Sequence, residues 1–325
     1  MNIAACTDSK FIMPMGIMIY SVCCNNNAPV TFHIVIDASV TEKDKKMIES
    51  TIEPFAEKQV CFYQIDPYKL TNMPAIGKFR PEVTMASYYR LWLAELLPDN
   101  LDKILYLDGD IIVRQSLLPL WNINLDGYAV AAVADKYEEE TGANKNNKYL
   151  RLHYPPELGY FNSGVLLINL AYWRKENVVK DFIEMIENRP ESIKCHDQDV
   201  LNYCFREKKL RLPIKYNMQD GFLYAIPGYN FQKYEQEVLE ARKNPVIVHY
   251  TNGKPWWTYN RHIHPWQSTF FKYQSQTLWK EEPKWEVRPW KIRIRKKIAT
   301  ILRRWNIIPE LKPNGEEYID IAPID

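Results

Sequence analysis

The chain has 325 residues, 46% hydrophobic and 25% charged, proportions that exclude disordered, collagen-like and disulfide-scaffold classes and allow one large α/β domain or two smaller ones. The net charge of +2 gives no global argument for a nucleic-acid partner, but it is unevenly spread: +8 over residues 284–304, −4 over 305–325 and −2 over 1–283. Cys6, Cys23, Cys24, Cys61, Cys195 and Cys204 form no CxxC or zinc-finger spacing, and most lie in apolar runs, so they read as reduced core residues of a cytoplasmic protein. The N-terminus lacks a basic region followed by an apolar one, and no uninterrupted apolar run reaches the roughly 18 residues of a membrane span.

In chain order, residues 2–6 read as a short buried strand running into the polar turn Thr7-Asp8-Ser9-Lys10, and residues 11–24 as an apolar helix. Residues 31–37 make a second strand, and Thr41 to Asp44 cap a helix reaching about residue 56. A third strand over 60–65 is followed by a helix over 84–97, strands over 103–107, 128–134 and 165–168, and helices over 170–188 and 197–206. Such alternation predicts an α/β protein with a mixed, mainly parallel sheet flanked by helices, and ligands in that class bind outside the carboxyl ends of strands. Asp8, Asp37, Asp66, Asp108 and Asp135 each fall at or just beyond such an end.

The stretch Lys103-Ile-Leu-Tyr-Leu-Asp108-Gly109-Asp110-Ile-Ile-Val113 delivers two carboxylates separated by one glycine. On a regular strand they share a face, and Gly109 lets the backbone bend so that both converge. Two carboxylates without soft ligands suit a hard cation such as Mn²⁺ or Mg²⁺, the type that clamps a diphosphate; a solvated acidic turn is the plain alternative. His249 ends a short apolar strand and is a candidate third ligand or a satisfied core histidine, and Lys254 follows across a turn, placed to neutralise phosphate oxygens. Two further motifs are Tyr160-Phe-Asn162-Ser163-Gly164 running into an apolar strand, and His196-Asp197-Gln198-Asp199 at a helix start.

These four pieces in this order, with Trp121 after the acidic pair and Trp173 after the third motif, resemble the family 8 retaining glycosyltransferases over residues 1 to about 266. That group contains bacterial lipopolysaccharide galactosyl- and glucosyltransferases and glycogenin. The resemblance implies a GT-A fold, a UDP-hexose donor, a divalent metal (Mn²⁺ or Mg²⁺) and retention of anomeric configuration. It implies that Asp108, Asp110 and His249 bind the metal, with Asp108 also on the ribose beside Gly109. It puts Asp8 on uracil, Phe11 stacked on the base, Ala4, Ala5 and Ser9 in the base pocket, Gly253 and Lys254 at the diphosphate and Arg90 on the donor. Asn162, Ser163, Asp197 and Gln198 would surround the transferred sugar, with Asp135 near a hydroxyl, so that Gln198, Asp197 and Asp135 are the catalytic candidates. The phosphate turn departs from the family pattern, with Asn252 in place of a glycine and Gly253 after it, and Lys10 stands where a small polar residue is common.

A glutamine at position 198 is a poor nucleophile, which favours same-face attack through a short-lived oxocarbenium ion pair over double displacement through Asp197 or Asp199. The acceptor is read as a glycan or lipid-linked saccharide, with loops 72–82, 137–158 and 217–234 as candidate contacts. Prolines 283, 289 and 309 and the charge change place a boundary between a catalytic domain, 1–282, and a C-terminal segment, 283–325. There Trp290, Ile294, Ile298, Ile301, Leu302 and Trp305 fall on one face of a basic amphipathic helix, a pattern for attachment to an anionic membrane surface, with a solvated core-packing helix as the alternative. That places the chain in the cytoplasm, peripheral on the inner face of the cytoplasmic membrane, with no nucleic-acid partner. A sugar nucleotidyltransferase and a non-catalytic nucleotide- or glycan-binding protein are the alternative functions.

Overall fold

Both faces of the central sheet are covered at its middle, which is why the strands there, over 104–107, 130–134 and 165–168, read as continuous apolar runs rather than alternating ones. In the computed structural model, which describes residues 1–76, 83–136, 138, 147–225, 232–251, 253–258 and 264–285 with isolated positions beyond 293, the main sheet has seven strands. These are β1 (Asn2–Thr7), β2 (Val30–Ile36), β3 (Lys58–Gln64), β4 (Lys103–Leu107), β6 (Val130–Ala134), β7 (Phe161–Asn169) and β8 (Lys209–Arg211), with β5 (Ile111–Val113) set apart from them. Their order is β3-β2-β1-β4-β7-β6-β8, and β7 alone runs antiparallel to its neighbours, β4 and β6. Along β4 the period of two sends Leu105 and Leu107 into one core layer and Ile104 and Tyr106 into the other. The first layer is built on α1 (Ile12–Asn25), which is apolar on all sides and almost wholly buried. The second packs Trp173 against Phe182 and Phe205.

A second sheet positions chemistry. Strand β5 leaves β4 immediately after the acidic pair and pairs antiparallel with Ile247–His249, which pairs parallel with β9 (Met218–Gln219). His249 lies opposite Ile111 and beside Gln219, so pairing between distant segments carries the imidazole to the carboxylates.

Several predicted elements change length for local reasons. Thr41 and Asp44 form a reciprocal capping box on α2 (Glu42–Ile52), but the helix stops at Ile52, close to Pro54, which has no N–H to continue the ladder. The predicted helix over 84–97 is broken by a tighter turn at Arg90–Trp92, and that over 170–188 splits at Asn177, whose φ of 52° is left-handed. The predicted 165–168 strand begins at Phe161, because Asn162, Ser163 and Gly164 continue it antiparallel.

Candidate active site

A cavity of about 890 Å³ opens at the carboxyl ends of β1, β4 and β6, where β7, running the other way, contributes its first residues. Asp108 follows β4 and Asp110 precedes β5, so the two carboxylates sit on a turn between two sheets rather than on one strand face. Gly109 does not have a positive φ, and a Cβ there would meet nothing nearer than Met15 at 3.4 Å; the divergence of β4 and β5, rather than glycine flexibility, makes the acids converge. One ligand atom from each of Asp108, Asp110 and His249 lies within 4.8 Å of the others. His249 Nε2 is 3.2 Å from Asp110 Oδ1 and 3.8 Å from Asp108 Oδ2. Gly164 is the residue that permits this approach: a Cβ on it would fall 2.2 Å from His249 Cε1 and 2.8 Å from Asp108 Oδ2.

The other oxygen of each carboxylate is held by the protein. Asp108 Oδ1 accepts from Tyr106 Oη at 2.8 Å and pairs with Arg90 Nη2 at 2.9 Å, which leaves Oδ2 toward His249. Asp110 Oδ2 accepts from Lys254, whose Nζ also donates to Tyr250 O. Burial by itself raises the Asp110 carboxyl pKa, and Lys254 and His249 more than reverse that, holding it well below the usual carboxylate range. Two hard carboxylate oxygens and one imidazole nitrogen, converging on one point, fit Mn²⁺ or Mg²⁺.

At the other end of the cavity the groups are mainly amides. Asn162 Nδ2 donates to Gln198 Oε1 at 3.1 Å and Asp135 Oδ2 at 3.3 Å, Ser163 N donates to Gln198 Oε1 at 3.0 Å, and Gln198 Nε2 donates to Asp135 Oδ2 at 3.3 Å. Asp197 lines the cavity with its Oδ2 3.2 Å from Arg90 Nε, and burial pushes its carboxyl up to about 6 against the pull of that guanidinium. Asp199 has no exposure and its oxygens accept from Arg151, Tyr160 Oη and the backbone N–H groups of Lys194 and Cys195. It braces the start of the His196–Cys204 helix and does not reach the cavity.

Of the residues expected at the nucleotide, Phe11, Arg90, Asp108, Gly109, Asn162, Ser163, Asp197, Gln198 and Lys254 line the cavity. Phe11 is braced edge-on by Trp256 and Trp285. Arg90 turns its guanidinium inward onto Asp108, Asp197 and the Ser163 carbonyl, acting as a buried counter-ion. Ala4 and Ala5 have no exposure and belong to the two core layers, while the β1 residues on the cavity wall are Cys6 and Thr7. Asp8 caps the turn Ser9–Phe11 through Lys10 N, Ser9 N donates to Ser39 Oγ, and neither side chain is on the wall. Gly253 N donates to Asp220 Oδ2 at 3.3 Å; Asn252 and the loop positions 77–82, 137, 139–146 and 226–231 lie outside the described residues.

Sequence reasoning missed Asn217, Gln219, Asp220 and His264. Residues 217–234 are expected to contact the acceptor as a loop, but 217–223 are buried behind the site. Gln219 holds the Lys136 N–H and the Ala134 carbonyl, and Asp220 pairs with His264 at 3.1 Å. The signal was Asn217-Met218-Gln219, two polar groups flanking an apolar one, which is what a short strand with one face toward a polar site requires.

The model of glycosyl transferase family 8 matches residues 2–260. The chain belongs to that family. It is a retaining hexosyltransferase of GT-A fold. General stress protein A of Bacillus subtilis is 28% identical over 283 residues, 86% of this chain and 94% of the relative. Lipopolysaccharide 1,3-galactosyltransferase of Salmonella typhimurium is 31% identical over 284 residues, 86% and 79% respectively. The crystal structure of galactosyltransferase LgtC with donor and acceptor sugar analogues shares the fold, with a TM-score of 0.72 at 24% identity over 86% of this chain and 96% of that one.

Proposed function

We propose that the enzyme transfers glucose or galactose with retention from a UDP-sugar to a glycan or lipid-linked saccharide acceptor in surface-polysaccharide synthesis. The observation that carries this reading is the placement of Asp108, Asp110 and His249 at one end of the cavity and Gln198, Asn162 and Asp135 at the other. A divalent cation held by the first set supplies Lewis acidity toward the departing diphosphate. Lys254, released from Asp110, neutralises a phosphate oxygen, and Arg90 stays charged between Asp108 and Asp197 to fix both. Gln198 and Asn162 present neutral dipoles to the sugar, which suits a short-lived oxocarbenium ion attacked by an acceptor hydroxyl on the face the diphosphate leaves, the hydroxyl proton passing to an oxygen of that diphosphate. Asp199, with its oxygens taken by Arg151, Tyr160 and two backbone N–H groups, is not available as a nucleophile. Purified enzyme with Mn²⁺ is expected to release UDP from UDP-glucose or UDP-galactose, and Asp110→Asn to abolish it. Metal-independent release, or a covalent glycosyl adduct on Asp197 found by mass spectrometry, would overturn the reading.

The chain divides in this reading into a catalytic domain, 1–282, and a C-terminal segment, 283–325, that rests on an anionic membrane. No helix among the described residues is long and apolar enough to cross a membrane. Ile294, Ile298, Ile301 and Trp305, spaced as one helix face, are 47%, 51%, 50% and 69% exposed, and the surrounding sequence carries the +8 charge; Trp290 and most of the basic side chains lie outside the described residues. Each Lys or Arg near such a surface contributes about 1 kcal/mol. Full-length enzyme is expected to pellet with anionic liposomes, and Ile298→Glu with Ile301→Glu to stay in solution; equal pelleting would sink the idea.

A further inference from the structure

Asn217 has no exposed surface and sits between the turn Ile214–Tyr216 and β9, behind both ends of the site. Its Oδ1 is 2.9 Å from His249 Nδ1, and its Nδ2 is 2.8 Å from Asn162 Oδ1. An amide can in principle face either way, but two peptide N–H groups remove the choice here. Gly164 N donates to Asn162 Oδ1 at 3.0 Å, and Ser163 N donates to Gln198 Oε1 at 3.0 Å. A backbone N–H can only donate, so both side-chain oxygens are fixed. Asn162 then presents an acceptor to Asn217, which must answer with its NH₂, and the Asn217 oxygen is left facing His249 Nδ1. That oxygen can only accept, so a proton is on Nδ1, which leaves Nε2, the nitrogen facing Asp108 and Asp110, as the one to bind a metal.

We propose that Asn217 is a positioning residue that fixes the His249 tautomer for metal binding and, through Asn162, the orientation of Gln198. This rests on the metal reading of the site given above. The hydrogen bonds run in one direction from His249 through Asn217, Asn162 and Gln198 to Asp135, so the metal end and the transfer end share one polarised chain. Outer partners of this kind typically change metal affinity about 10–100-fold.

Two substitutions separate the two halves of the role. Asn217→Asp keeps an acceptor for the Nδ1–H but places an oxygen against Asn162 Oδ1; Mn²⁺ affinity, read by electron paramagnetic resonance without donor, is expected to stay within about threefold while kcat falls about 10–100-fold. Asn217→Leu removes both contacts and is expected to weaken Mn²⁺ binding about 10–100-fold as well. Equal Mn²⁺ affinities in Asn217→Leu and wild type, or equal losses in both variants, would overturn the proposal. Should either variant fail to fold, ¹⁵N spectra of the metal-free wild-type enzyme, which report each ring nitrogen separately, decide it. A proton on His249 Nδ1, with or without a second on Nε2, is expected, and a ring that carries its proton on Nε2 alone would overturn the role. Wild-type enzyme that binds no Mn²⁺ would instead refute the metal reading, and the ring spectrum would still decide whether Asn217 sets the tautomer.

Discussion

The two ends of the cavity solve opposite electrostatic problems. At the Asp108–Asp110 end, carboxylates are buried against cations: Arg90 and Tyr106 hold Asp108, and Lys254 holds Asp110. Removing one partner there strands a charge, which is far costlier than losing a neutral hydrogen bond. At the Gln198 end, Asn162, Gln198 and Ser163 exchange hydrogen bonds between neutral groups, with Asp135 as the one carboxylate that closes the network. The difference separates the work: the charged end suits a metal and a diphosphate, and the amide end suits a sugar that becomes transiently cationic beside neutral dipoles.

Asp110→Asn tests the charged end with the largest expected effect, a loss of UDP release of at least about 10³-fold, because it removes a ligand and leaves Lys254 without its carboxylate. Raised Mn²⁺ concentration is expected to restore part of that loss, and identical activity at all concentrations would break the assignment. Gln198→Ala tests the amide end, with turnover lower by about 10²-fold and Mn²⁺ affinity unchanged. A matching loss of Mn²⁺ affinity would show that the two ends are not separable in this way.

The smallest effect lies outside both ends. His33 is buried beside Tyr63 and Asn2, and burial lowers its pKa to about 4 from an ordinary value near 6.5. The unfolded chain therefore takes up the proton first, so stability present above about pH 6.5 is lost as pH falls toward 4. Replacing it, as His33→Asn, is expected to flatten the acid side of a plot of Tm against pH while UDP release at neutral pH is unchanged. An unaltered acid slope would place the sensitive group elsewhere.

Much of this was legible because short-range chemistry leaves marks in a sequence. The run Lys-Ile-Leu-Tyr-Leu before Asp108 has to be a buried strand, the Thr41–Asp44 box has to start a helix, and acids just past strand ends sit where parallel sheets bind ligands. The break in the 170–188 helix was not legible, since Asn177 at φ 52° is set by how the two halves pack. Nor were Asn217 and Asp220, which flank β9 and meet His249 and Gly253 because that strand pairs beside Ile247–His249.

The sequence by itself determined the apolar strands, the acidic turn, the motifs of the family and the charged C-terminal segment, because each depends on neighbours a few residues away. Tertiary structure alone decided that β7 runs antiparallel, which brings Asn162 and Ser163 to the rim where β4 ends. It also decided that the Ile247–His249 strand pairs with β5, that Gly164 makes room for His249, and that Asn217 joins the two ends. The physical reason is that strand pairing and side-chain hydrogen bonds join residues far apart in the chain, and no local pattern records which partner each will meet.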